Sequence, residues 1–205
     1  MSIITFDHKF YNNVRYSIMD EEKSLANIKT RVEDDISKGI WKEYGKTTED
    51  WAKYAHAHHL WYPTTIYKDN KPYAYIVNTE KTLHIKFLDE RLFWTVSLVF
   101  KKEDKEVMFL TEVWVRSYSG KNDEMLKDLL QDQHLVFTPN GNLSVTTAKI
   151  IREPSLKIER EEKEAVHPVN VSQNWVKTPK YGAYNDLLDY ESLIKPGDLL
   201  NDVDI

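Results

Sequence analysis

The sequence predicts an α+β fold built round an antiparallel sheet, on three observations. Before residue 61 apolar residues recur at spacings of three and four, the period of a helix face. From there to residue 160 they alternate at period two or run unbroken. The polar spacers between these runs are too short for crossover helices, which leaves hairpins. The expected architecture is N-terminal helices packed on an antiparallel meander of about five to seven strands, closed by a C-terminal wrapping arm. At 205 residues the chain suits one domain, with a helical part at 1–61, a sheet part at 62–160 and an acidic, irregular arm at 161–205.

The first helix is expected to start after Asp20, a good N-cap, with Leu25, Ile28, Val32 and Ile36 on one face. Gly39 reads as its C-terminal stop. Thr47 with Asp50 three residues on resembles a capping box that carries the shorter acid. The second helix then runs to about Leu60, carries Trp51 and Ala55 on one face, and is ended by Pro63.

Strands follow. Tyr73, Tyr75 and Val77 alternate with Ala74 and Ile76, and Leu83, Ile85 and Phe87 alternate with His84 and Lys86. Leu92–Phe100 and Val107–Val115 are apolar at nearly every position, which predicts strands covered on both faces. A short helix is expected over Asp123–Gln131 with Met125, Leu129 and Leu130 inward. Asn140-Gly141 is the strongest hairpin signal in the chain and joins strands at Leu135–Thr138 and Leu143–Ile151. Leu156–Glu159 reads as an added edge strand and Glu159–Glu164 as a solvated charged stretch.

Composition excludes several chemistries. There is no cysteine, hence no thiolate nucleophile and no Cys-bound zinc. No Gly-x-Ser-x-Gly elbow surrounds Ser97, Ser117 or Ser119, and 6 glycines cannot build a phosphate-cradling loop. No catalytic residue and no cofactor are expected. No apolar run reaches 18 residues and no leader pattern opens the chain, so a cytoplasmic protein without membrane contact is expected. Basic residues are not clustered among aromatics, which argues against nucleic acid.

The remaining candidates are local. His56 and His59, three apart on the expected helix, could share one metal, with His84 as a conceivable third ligand. That gives the alternative reading of a metal-dependent enzyme. Tyr73, Tyr75, Trp94 and Trp114 could form an aromatic platform on one sheet face, or fill the core.

The formal charge of −5 is concentrated at the C-terminus, where residues 182–205 hold six acids against Lys195. The acids Asp186, Asp189 and Glu191 stand among the apolar residues Leu187, Leu188, Tyr190, Leu193 and Ile194, with Trp175 and Tyr184 just before them as further contact residues. Long-range attraction steers such a segment to a basic protein, and its apolar anchors would then grip it. The string Trp175, Pro179, Tyr181-Gly182, Tyr184 resembles the closing Trp-x-x-x-Pro-x-aromatic-Gly-x-aromatic segment of small bacterial proteins, immunity proteins of polymorphic toxin systems among them. The resemblance covers about a tenth of the chain. It implies a non-enzymatic protein that neutralises a cognate toxin by occluding it. A phage or structural component is a further alternative.

Overall fold

A computed structural model gives the fold, and it describes residues 3–32, 38–153 and 155–189, with backbone alone at 38–40. The chain forms two compact units, Met1–Leu92 and Phe93–Ile205. Both combine antiparallel strands with short helices, so the fold is α+β.

The first unit opens on strands, not helices. β1 (Ile4–Asp7) and the small hairpin β2 (Tyr11–Asn12) and β3 (Ser17–Ile18) precede α1 (Glu21–Val32). The expected helical part at 1–61 is corrected to this extent. The four residues of β1 are mostly exposed, so they lack the inside–outside contrast that marks a strand. Asp20 caps α1 by accepting the Lys23 amide at 2.8 Å. Its inner face carries Ser24, Ile28 and Val32, and Ile36 lies outside the described residues. Gly39, expected as a stop, stands at the second position of α2 (Lys38–Tyr44). The first turn of a helix has no intrahelical partners for its amides and loses little by a glycine.

In α3 (Thr48–Ala57), the Thr47 hydroxyl accepts the Asp50 amide at 3.0 Å. Glu21 reaches across from α1, accepting the Thr48 amide at 2.7 Å and its hydroxyl at 2.9 Å. A carboxylate there also complements the helix dipole. Trp51 is fully buried against Trp41, with ring centroids 5.5 Å apart, and its indole donates to the Trp61 carbonyl at 3.0 Å. The helix stops at Ala57, short of Leu60, and Pro63 belongs to the next strand.

That strand, β4 (Tyr62–Lys68), lies between β1 and β5 (Lys71–Asn78), with β6 (Thr82–Leu88) beyond, all antiparallel. The pairing of β1 with β4 stops at Thr65, so the missing amide of Pro63 leaves no gap on that side. Asp69 and Asn70, both left-handed, turn β4 into β5. His8 is buried beside this strand, its Nδ1 3.0 Å from the Pro63 carbonyl and 3.1 Å from the Thr64 hydroxyl. Burial holds its pKa below the usual histidine value, against the opposing pull of the Pro63 carbonyl and of Glu49 and Asp7.

The second unit orders β7 (Trp94–Lys102), β8 (Val107–Tyr118), β9 (Leu129–Phe137), β10 (Leu143–Ile151) and β11 (Lys157–Glu164) side by side, all antiparallel. A short α4 (Met125–Asp128) leads into β9. β12 (Trp175–Lys177) pairs with the start of β8 at Val107–Phe109, next to the stretch that β9 occupies from Glu112. Leu98, Phe100, Met108, Phe109 and Leu135 are fully buried.

Four expectations are corrected here. Four sheet strands in the first unit and six in the second exceed five to seven, because β1 and β12 are short and β4 carries Pro63 at its second position, which reads as a helix stop. Glu159–Glu164 is not a free solvated stretch but most of β11, although every residue of that strand is exposed. Leu130 is 45% exposed because the chain leaves α4 for β9 at Leu129. β8 is covered on one face only over its second half, where Val113 and Val115 are buried while Glu112, Trp114 and Arg116 are partly open.

Among the described residues no helix is long and apolar enough to cross a membrane.

Candidate protein-binding site

The segment after β11 is fastened to the second unit at successive points. The Ala165 amide donates to the Leu143 carbonyl and the Val169 amide to the Gly141 carbonyl, each at 2.9 Å. Gly141 makes the second contact possible. Its φ is +88°, and a Cβ there would sit 2.7 Å from the Val169 oxygen. Farther on, the Asn174 side chain donates to the Leu110 carbonyl at 3.1 Å, β12 pairs with β8, and the Thr178 amide donates to the Glu106 carbonyl at 2.7 Å.

This course sorts the predicted contact residues. Trp175 lies with its ring 4.8 Å from that of Phe109 and stays 41% exposed. Tyr184 is interior at 2% exposure, as are Leu187 and Leu188, so Tyr184 anchors the segment from within and offers no contact surface. A tyrosine two residues after a glycine and before two leucines fits a core as well as an interface, and its sequence does not separate the two. Asp186 and Asp189 are exposed, the first on α5 (Asn185–Leu188) and the second at its C-terminal cap. Tyr190, Glu191, Leu193 and Ile194 lie outside the described residues.

The structure does not bring His56 and His59 onto one helix face. His56 is the penultimate residue of α3, with Nδ1 2.7 Å from the Tyr62 hydroxyl. His58 caps the helix and His59 turns left-handed at φ +58°. The amide of His59 donates to the His56 carbonyl at 3.3 Å and that of Leu60 to the Ala55 carbonyl at 2.7 Å. This pair of bonds is a Schellman closure, which redirects the chain one residue after the cap. His84 lies on β6, opposite Val77. Among the described residues no three or more His, Asp or Glu gather in a metal-holding group.

The four aromatics of the expected platform fall in different units. Tyr75 is buried at 6% exposure against Tyr11, with ring centroids 5.4 Å apart, and Tyr73 meets the edge of Phe87. Trp94 and Trp114 are half-buried in the second unit, within a polar cluster that the sequence reading missed. The Trp114 ring lies flat on His134 at 3.7 Å, and Glu112 Oε2 stands 3.0 Å from His134 Nε2 and accepts the Trp114 indole N–H at 3.3 Å. Arg116 pairs with Asp132 at 3.0 Å and stacks over Trp94 at 3.7 Å. Cross-strand register creates the cluster, since Trp114 is opposite His134 and Arg116 opposite Asp132. The signal was present as a period-two set, Glu112, Trp114 and Arg116, inside an apolar run. Tryptophan and arginine held rigid on a partly open sheet face are what protein contacts draw on.

Comparison of the chain with protein-family models, with curated proteins and with solved structures finds no match.

Proposed function

We propose that this chain is a non-enzymatic protein-binding protein that neutralises a basic toxin by occluding it, as the bacterial immunity proteins resembled by its closing segment do. The observation that carries the reading is the presentation of Asp186 and Asp189. Both are exposed on or beside a helix whose Leu187 and Leu188 are buried, and Tyr184 locks its start. Acids on a docked element lose less entropy when a partner arrives than acids on a frayed terminus, since their backbone is already ordered. Half-exposed Trp175 stands earlier in the same segment as an apolar grip. In this reading the arm from 161 onward makes the contact and the protein works in the cytoplasm.

The test co-expresses the chain with the product of the adjacent gene. Growth inhibition by that product, relieved by this chain through a stoichiometric complex, is the expected result. Changing Asp186→Asn, Asp189→Asn and Glu191→Gln together should slow association at low salt, leave the melting temperature unchanged, and matter less at high salt, where exposed charges are screened within about 10 Å. Association that ignores all three substitutions would exclude the arm as the contact. A stoichiometric metal retained through His56 and His59 after dialysis would favour the metal-dependent enzyme instead.

A further inference from the structure

The first unit contains an open cleft of about 630 Å³ walled by Arg31, His58, His59, Trp61 and Glu80 among others. A smaller hollow of about 140 Å³ shares Arg31 and Trp61 with it and adds Phe10, Tyr75 and Lys86. The larger volume lies within the roughly 300–1,000 Å³ of small-molecule sites.

Arg31, at the last turn of α1, lies beside two aromatic rings that touch each other. Its guanidinium carbon is 5.1 Å from the Phe10 ring centroid and 5.3 Å from that of Trp61. Both contacts are close enough for cation–π attraction, which holds the guanidinium beside the rings at the cleft lining. Among the described residues no carboxylate pairs with it. Five donors in a rigid fork match an oxyanion.

The end of α3 lines the same cleft. His58 is held in place with its ring 4.2 Å from Tyr54. His59 occupies the left-handed position of the Schellman closure at φ +58°. Glycine is the usual residue there, and a side chain is disfavoured in that conformation. A strained histidine kept on a cleft wall points to a use for the imidazole. The charge balance agrees. Arg31 and Lys86 are basic, and Glu80 is the one acid among the described residues lining the two hollows.

We propose that this cleft binds a small molecule carrying an oxyanion, phosphate or carboxylate, with the charged group held by Arg31 and His59 and the body of the ligand against Trp61. The site is separate from the contact surface proposed above and does not depend on it.

The experiment titrates the intact chain with phenyl phosphate and with benzoate, following the Arg31 Nε–H and Trp61 indole N–H signals by NMR. Saturable shifts are expected with at least one probe, and a tenfold preference between them identifies the oxyanion. Arg31→Gln should weaken binding at least tenfold, with Arg31→Lys intermediate, since a point charge replaces a fork. His59→Gly should raise the melting temperature and still weaken binding, an opposition that a merely structural histidine would not produce. Arg31 is exposed, so its substitution leaves the fold intact, and a melting curve checks this. Affinity unchanged in both the Arg31→Gln and His59→Gly variants overturns the proposal. So does the lack of a saturable shift with either probe.

Discussion

β8 and β11 are strands of the same sheet with almost opposite compositions. β8 runs VMFLTEVWVRSY, buries Met108, Phe109, Leu110, Val113 and Val115, and pairs with β7, β9 and β12. β11 runs KIEREEKE, exposes every residue and pairs with β10 through eight register positions, Ser144↔Glu164 to Ile151↔Lys157. The difference separates two things that strand patterns usually report together. Backbone pairing needs a neighbour of matching length, whereas apolar periodicity needs a covered face. β11 has the first without the second. Lys149 opposite Glu159, and ion pairs of Lys157 with Glu159 at 2.6 Å and of Lys163 with Glu161 at 3.3 Å, give it side-chain support.

The contrast predicts unequal sensitivity. Phe109→Ala empties a fully buried position and should cost ~3–5 kcal/mol in denaturant unfolding. A loss below 1 kcal/mol would mean that β8 is not the mechanical centre of its unit. Gly141→Ala tests the joint between the two kinds of strand. The left-handed φ and the crowded Val169 oxygen should together cost roughly 1–3 kcal/mol. Hydrogen exchange should show the Val169 amide losing protection before the amides of β8 do.

Charge should matter only where it is buried, and pH tests that. Burial lowers the pKa of His8 below its ordinary 6.5, so the unfolded chain takes up the proton first as pH falls. The His8 contribution is thus fully present above pH 6.5 and is lost progressively below it. His8→Gln should flatten the melting temperature between pH 7 and pH 5. A pH dependence that survives this change has another source. The smallest effect belongs to β11, where Glu161→Ala should fall within ~0.5 kcal/mol of zero. A larger loss would show that its charges bind the strand in place.

How much of this was legible follows the same division. α1 and α3 announced their caps at Asp20 and Thr47, and β5 through β8 announced themselves by covered faces. The turn at Asn140-Gly141 was visible because its residues suit left-handed backbone. β1 gave no signal and β11 only its first residues, as the edge strand expected at Leu156–Glu159, since neither has an inside. The candidate contact site was half visible. Asp186 and Asp189 read correctly as exposed, but Tyr184 and the two leucines after it read as contact residues and proved to be anchors, because apolar spacing is the same whether a partner or the chain itself supplies the cover. His59 was misplaced because α3 ends at Ala57, three residues before the expected Leu60. A Schellman closure is normally flagged by glycine, and here a histidine fills that position.

The exposed charges of β11 have a consequence for solubility. Among the described residues nothing pairs with the far side of this strand, so its backbone donors and acceptors form a ready template for a strand from another molecule. Ile158, 60% exposed, and Leu156, 70% exposed, would reward such recruitment. Lys157, Arg160 and Lys163 interleaved with four glutamates act as gatekeepers, since each would have to be desolvated or matched by an incoming strand. Engineering that neutralises this strand would leave folding nearly untouched and convert a quiet margin of the protein into the place where aggregates start.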